Sequence, residues 1–194
     1  MTFNGPPAAL AVPNGGFVFG RGMNRADYTN NTGGASWDYP FETTVGGTFI
    51  SEPVPAQNVV TGDIDFVGQG TNWQYYHARL PGNSFGWQGL EGVSGTLMGP
   101  PAAAYAYYTS ASYLEVVGQG TNGWWYHQVD LNGTWQPLYS TNGVGYGAVS
   151  VVAPPLVGAL VALGVGTDFN AWTSYLRPYA SPSWSPLPVG PSLH

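Results

Sequence analysis

The sequence predicts an all-β protein, a β-propeller built from four four-stranded antiparallel blades, on three observations. The first is an internal repeat. Gly68-Gln69-Gly70-Thr71-Asn72 returns fifty residues on as Gly118-Gln119-Gly120-Thr121-Asn122, with weaker copies at Gly20-Arg21-Gly22 and Gly164-Val165-Gly166-Thr167-Asp168. The sixth residue after the second glycine is a large aromatic in every copy: Tyr28, Tyr76, Tyr126 and Trp172. The second is composition: 29 of 194 residues are Gly and 17 are Pro, yet 15% are aromatic. Gly and Pro at this level mark either disorder or many turns, and disordered segments are poor in aromatics, so short strands joined by tight turns satisfy both. The third is the lack of any segment with a sustained 3.6-residue apolar period between helix caps. A four-stranded unit of about 40–50 residues cannot bury both its faces alone, and such units pack radially on one another as blades.

The blades follow in chain order within a single domain, residues 1–194. Blade 1, about 6–47, opens on Pro6-Pro7 and the apolar run Ala8 to Val12. Asn14-Gly15-Gly16 turns into Phe17-Val18-Phe19, and short Gly-containing connections of this kind are hairpin signals. Gly20-Arg21-Gly22 leads to a strand around Tyr28, and Ser36-Trp37-Asp38-Tyr39 begins the fourth. Blade 2, about 53–95, repeats the order with Pro53 to Val60, Ile64 to Val67, Trp73 to Leu80 and Trp87 to Leu90. Blade 3, about 100–145, has Ala102 to Tyr108, Tyr113 to Val117, Trp124 to Leu131 and Trp135-Gln136-Pro137-Leu138. Blade 4, about 147–190, has Val149 to Val152, Ala159 to Leu163, a strand around Trp172 and Trp184-Ser185-Pro186-Leu187. Trp37, Trp87, Trp135 and Trp184 fall at spacings of 50, 48 and 49 residues, which predicts one equivalent position on the fourth strand of each blade.

Charge removes several function classes. Only 7% of residues are charged, the net charge is −6, and the four arginines stand beside no lysine at all. Binding to a phosphate backbone or to an anionic membrane surface draws on Lys and Arg, so neither partner is expected. Cysteine is absent, which leaves no disulfide framework and no thiolate metal site. The longest apolar stretch, Val149 to Val165, is broken by Pro154, Pro155, Gly158 and Gly164, so no membrane insertion is expected. The first residues lack the charged and unbroken apolar regions of a signal peptide, and localisation stays open between another export route, a surface and a virion.

Catalytic and metal chemistry find little support. The ten carboxylates form no repeated cluster, whereas a glycosidase needs two placed about 5–10 Å apart. No nucleophile elbow, HExxH or P-loop occurs. A glycan hydrolase is therefore the weakest of three readings, and neither cofactor nor metal is expected. His77 and His127 hold the same place in two units, too far apart to share an ion whose ligands lie about 2 Å from it.

Binding is better supplied. Trp73 and Tyr75, and Trp124 and Trp125, follow directly on the GQGTN turns. Strand alternation places Trp124, Tyr126 and Gln128 on one face and Trp125 and His127 on the other. Trp125 with His127, and Tyr75 with His77, are the candidates to line grooves between blades, followed by Trp124, Trp73, Trp87 and Trp135. Indole and phenol rings offer π-faces to sugar C–H groups or methyls, while His, Asn and Thr bond to hydroxyls. Packing is the favoured reading of the four regularly spaced tryptophans, since burying a Trp removes about 150–250 Å² from water, and it accounts for the groove candidates as well as binding does.

The order of an apolar strand, Gly-x-Gly-Thr-Asn/Asp, aromatic-His, a turn and Trp-x-x-Leu resembles the tectonin-like and PLL-type lectin repeats. The resemblance covers nearly the whole chain and is best in the second and third units. It departs where Met23 replaces the Thr, Thr29 and Thr173 the His, and Val165 the Gln. It implies a carbohydrate-binding propeller with inter-blade pockets for fucose or O-methylated sugars, and glycans or glycoconjugates as partners. PLL-type propellers have more blades than the four counted here. The chain therefore either closes as a small ring or contributes to a larger propeller completed by homo-oligomerisation. The competing reading is a structural or interaction propeller, such as a phage or cell-surface decoration module.

Overall fold

The computed structural model describes residues 2–13, 15–32, 42–43, 47–82, 86–108, 111–154, 158–178, 180 and 182–187. These form sixteen strands and no helix. The first unit holds β1 (Ala8–Val12), β2 (Gly15–Arg21), β3 (Asp27–Thr32) and β4 (Glu42–Thr43) as one sheet in chain order. The second holds β5 (Val54–Gln57), β6 (Ile64–Gln69), β7 (Tyr75–Leu80) and β8 (Gln88–Val93), again in chain order.

The third and fourth units share a strand. β9 (Leu97–Tyr108), β10 (Ala111–Gly120) and β11 (Trp124–Leu131) pair in sequence, with β12 (Thr134–Trp135) on the far end of β11. β13 (Tyr139–Val152) then pairs with β11 through Tyr139, Ser140 and Val144, and with β14 (Leu160–Gly166) from Gly145 to Val152. β15 (Ala171–Leu176) and β16 (Trp184–Pro186) complete an eight-stranded sheet. All pairings are antiparallel, and none of the three sheets closes on itself.

The repeated Gly-x-Gly motif is turn geometry. Trp73 N donates to Gly70 O at 3.1 Å and Gly70 N to Gln74 O at 2.9 Å, around a left-handed Trp73 (φ 65°). This three-residue hairpin loop recurs at Arg25 (φ 64°), Gly123 (φ 81°) and Phe169 (φ 61°). The second glycine leaves room for the repeat aromatic. A Cβ on Gly70 or Gly120 would lie 2.6 Å from the ring of Tyr76 or Tyr126. Asn24, Asn72 and Asn122 each donate through Nδ2 to the hydroxyl of Tyr28, Tyr76 and Tyr126 at 2.9 Å, tying turn to strand.

Cores lie between units, as the period-2 alternation of strands requires. Phe66 joins Phe19, Phe49, Ile64 and Ala78 between units 1 and 2, while its neighbour Val67 packs with Tyr75, Leu114 and Val116 between units 2 and 3. Val117, Trp125 and Val129 meet Leu160, Ala162 and Leu176 between units 3 and 4. β1, β5, β9 and β13 stand side by side in that order. The outer face of unit 4 has no such cover among the described residues. Leu163, aligned with the buried Val67 and Val117, is 42% exposed, and Val152, Val165 and Tyr175 are exposed beside it.

One expectation from spacing is overturned. Trp87 meets Phe19 and Phe66 edge-on and Trp135 meets His77, so both face the preceding unit's side of the core. Trp184 instead occupies the place of Leu138: a Cβ on Gly95 would strike Leu138, and one on the aligned Gly143 would strike Trp184. β16 thus runs three residues out of step with the Trp-x-x-Leu pattern, because Trp184 pairs opposite Ser174, aligned with Gln128. Trp37 lies outside the described residues.

Candidate functional site

A cavity of about 350 Å³ opens between units 3 and 4, and three tryptophans line it: Trp125, Trp172 and Trp184. Trp125 is the buried base, 1% exposed. Three glycines make its slot, since a Cβ on Gly143, Gly145 or Gly164 would come within 2.7, 2.2 or 2.5 Å of the indole. Trp184 leans against it, ring centroids 4.5 Å apart at 43°. Trp172 is the repeat aromatic of unit 4 and lies over Gly166.

Each indole N–H is already bonded within the protein. Trp125 Nε1 donates to Gly147 O at 3.3 Å, Trp184 Nε1 to Thr141 O at 2.9 Å, and Trp172 Nε1 to Asp168 Oδ1 at 3.0 Å. A ligand placed there would meet ring surface from Trp172 and Trp184, with Trp125 closing the floor beneath, and hydrogen-bonding groups from Asn142, Thr167 and Asp168. The Asp168 carboxylate also accepts Asn170 Nδ2 at 2.9 Å and Asn170 N at 3.0 Å. Hydrogen bonds from Asn170 and Trp172 hold its pKa below the ordinary value.

The remaining predicted residues are dispersed. Tyr75 is fully buried, bonds Gly99 O at 3.1 Å and packs where a Cβ on Gly118 would sit. His77 and His127 are buried against carboxylates, His77 through Nε2 to Asp65 and His127 through Nδ1 to Glu115. The two carboxylates hold aligned positions; the longer Glu reaches the nearer ring nitrogen and the shorter Asp is met by the farther one. Trp87 and Trp135 are half-buried. Trp73 and Trp124 are exposed, Trp73 on its turn and Trp124 paired with the cavity residue Val144. Only Trp125 of the eight lines the cavity.

Sequence reasoning passed over Trp172, Asp168 and Asn142 as site residues. The available signal was the pair of departures in unit 4, Trp for Tyr and Asp for Asn. Among the described residues no group of three or more His, Asp or Glu gathers as a metal would require.

A second polar cluster joins units 2 and 3. Arg79 Nε donates to Asp65 at 2.8 Å and its Nη2 to Asp130 at 2.7 Å, while the Tyr105 hydroxyl donates to Asp65 at 2.7 Å. Burial by itself lowers the Arg79 pKa, but Asp65, Tyr105 and Asp130 outweigh it and raise it above the ordinary value. Its members are committed to one another, as expected of a structural lock.

No family model matches the sequence, and no curated protein matches it either. Solved structures do. AofleA from Arthrobotrys oligospora is similar with a TM-score of 0.75 at 14% identity, over 95% of this chain and 57% of that one. The BP39L lectin from Burkholderia pseudomallei gives 0.73 at 17%, over 94% and 54%. A mutant of Aleuria aurantia lectin in complex with α-methyl-L-fucoside gives 0.64 at 12%, over 92% and 58%. At these identities the likeness establishes a shared fold. The chain spans little more than half the length of each.

Proposed function

We propose that this protein is a non-enzymatic, lectin-like carbohydrate-binding β-propeller whose ligand site is the cleft between its third and fourth units. The observation that carries the reading is the cavity floored by Trp125 and flanked by Trp172 and Trp184, with every indole N–H already bonded to a protein acceptor. Such surfaces suit the C–H face of a pyranose, and Asn142, Thr167 and Asp168 suit its hydroxyls. Its volume is at the small end for ligand pockets, about 300–1,000 Å³, and fits one sugar ring. The lectins of similar fold, one holding α-methyl-L-fucoside, support fucose-like or O-methylated sugars as the first ligands to try.

A glycan array followed by calorimetry with methyl-α-L-fucoside and O-methylated monosaccharides tests the reading. Binding is expected near the millimolar level for one shallow pocket, about −4 kcal/mol. It should be abolished in Trp184→Ala. Silence across the array from folded protein defeats it.

We read the four units as propeller blades, and the ring as completed by further copies of the chain. The uncovered row of Val152, Leu163, Val165 and Tyr175 supports this, because aligned residues of units 2 and 3 are covered by the next unit. The same apolar row is what a structural or interaction module would use. Glycan silence combined with capture of a partner through that face favours that second reading.

A further inference from the structure

The cleft between units 3 and 4 departs from its counterpart between units 2 and 3 at four aligned places. Tyr75 becomes Trp125, Tyr126 becomes Trp172, Leu138 becomes Trp184 and Asn122 becomes Asp168. Every change runs the same way, towards more π-surface or more negative charge. Tyr75 and Trp125 both donate to a backbone carbonyl, Gly99 O and Gly147 O, and the Trp172 N–H is taken up by Asp168, so what the exchanges add is ring surface. Asp168 brings a carboxylate where units 1, 2 and 3 carry the neutral Asn24, Asn72 and Asn122.

No positive group lines the cavity. The chain has no lysine, and no arginine lines the cavity. Arg21 is paired with Glu52 at 2.7 Å, and Arg79 is held by Asp65 and Asp130 in the preceding interface. Indole is the best aromatic partner for a cation, through the negative face of its ring, and several aromatics around one carboxylate make the cage that recognises ammonium groups.

We propose that this cleft selects a cationic alkylammonium group, carried either by a protonated amino sugar or by an N-methylated headgroup of choline type. The inference rests on reading the cleft as a ligand site and sharpens its ligand class. The Asp168 carboxylate disfavours anionic ligands such as uronic acids.

The test is calorimetry on the full chain with five probes: tetramethylammonium chloride, choline, glucosamine, N-acetylglucosamine and methyl-α-L-fucoside. A mildly acidic buffer keeps the amine protonated. Glucosamine or choline is expected to bind at least about fivefold more tightly than N-acetylglucosamine and the fucoside, with tetramethylammonium competing. Glucosamine leading choline assigns the group to an amino sugar, and the reverse assigns it to an N-methylated headgroup. Asp168→Asn restores the residue that the other units use and should keep the unfolding temperature. It should weaken the cationic probes at least about fivefold more than it weakens N-acetylglucosamine. Trp172→Tyr, the residue of units 1 to 3, should weaken them as well. Fucoside binding equal to or tighter than that of every cationic probe overturns the inference and leaves the lectin reading standing. Cationic binding unmoved by Asp168→Asn also overturns it, and so does silence from all five probes, while the glycan array decides the lectin reading.

Discussion

The Asp168 carboxylate accepts the indole N–H of Trp172 at 3.0 Å, inverting a bond that the other three units make in the opposite sense. There an asparagine donates to a tyrosine hydroxyl at 2.9 Å. The turn and the strand are tied equally well either way, so the exchange of Asn and Tyr for Asp and Trp is one the fold tolerates. What it alters is the chemistry presented between units 3 and 4.

The tryptophan pair at the cleft separates binding from folding. Trp184 is half-buried at the rim, so Trp184→Ala should cost about 2–3 kcal/mol of stability and abolish ligand binding. Trp125→Ala empties the slot of three glycines and should cost more, about 3–5 kcal/mol. Chemical denaturation alongside ligand titration reads both; equal stability losses would contradict the assigned positions.

Glycine at 164 is a packing requirement. A Cβ there would sit 2.5 Å from Trp125, and the rigid indole has no slack to give, so Gly164→Ala should destabilise by about 1–3 kcal/mol. A Cβ on Gly92 would meet no atom within 4 Å, and Gly92→Ala should be nearly neutral. Thermal unfolding of the two variants makes the comparison.

Asp27 gives the stability a pH dependence. It holds the inner position that Tyr75 and Trp125 fill in the next two units, and burial, with Glu52 adding to it and Arg21 opposing, pushes its pKa up to about 8. A carboxyl raised in the folded state favours the protonated form there. Its contribution is complete below the unfolded value near 3.8 and is lost as pH rises through 8. Unfolding free energy should therefore fall across that interval, and Asp27→Asn should flatten the fall. A wild-type profile that rises from acid to mildly basic pH would refute the assignment.

Arg79 locks unit 2 to unit 3. Arg79→Met leaves Asp65 and Asp130, both 2% exposed or less, without their cation. Removing one partner of a buried pair costs about 3–5 kcal/mol, and the partial exposure of Arg79 puts the expected loss at the lower end. Denaturant midpoints for Arg79→Met and for the double variant with Asp130→Asn measure it, the second change recovering part of the loss.

The bare face of unit 4 predicts association. Leu163→Lys places a charge among Val152, Val165 and Tyr175. Sedimentation should find an assembly larger than 20.5 kDa for the native chain and a shift towards monomer for the variant. A native monomer would assign the four units to a self-sufficient body.

The strands, their antiparallel order and the turns were legible in the sequence because they rest on local rules. Gly70 and Gly120 must be small beneath Tyr76 and Tyr126, and Asn72 and Asn122 must bond the same tyrosines, all within six residues of chain. The alternation that sends Trp125 and His127 to one side and Tyr126 and Gln128 to the other is equally local. Contacts between units were not. His77 and His127 bear no mark in sequence of their buried carboxylates twelve residues away, and Tyr75 none of its burial beneath Gly118. Spacing alone aligned Trp184 with Trp135, yet the tertiary structure seats it against Trp125, since the register of β16 is set by its partner strand and by the room at Gly143. Period and turn chemistry determine the repeat; only packing between successive sheets decides which of its aromatics are core and which three frame a cleft.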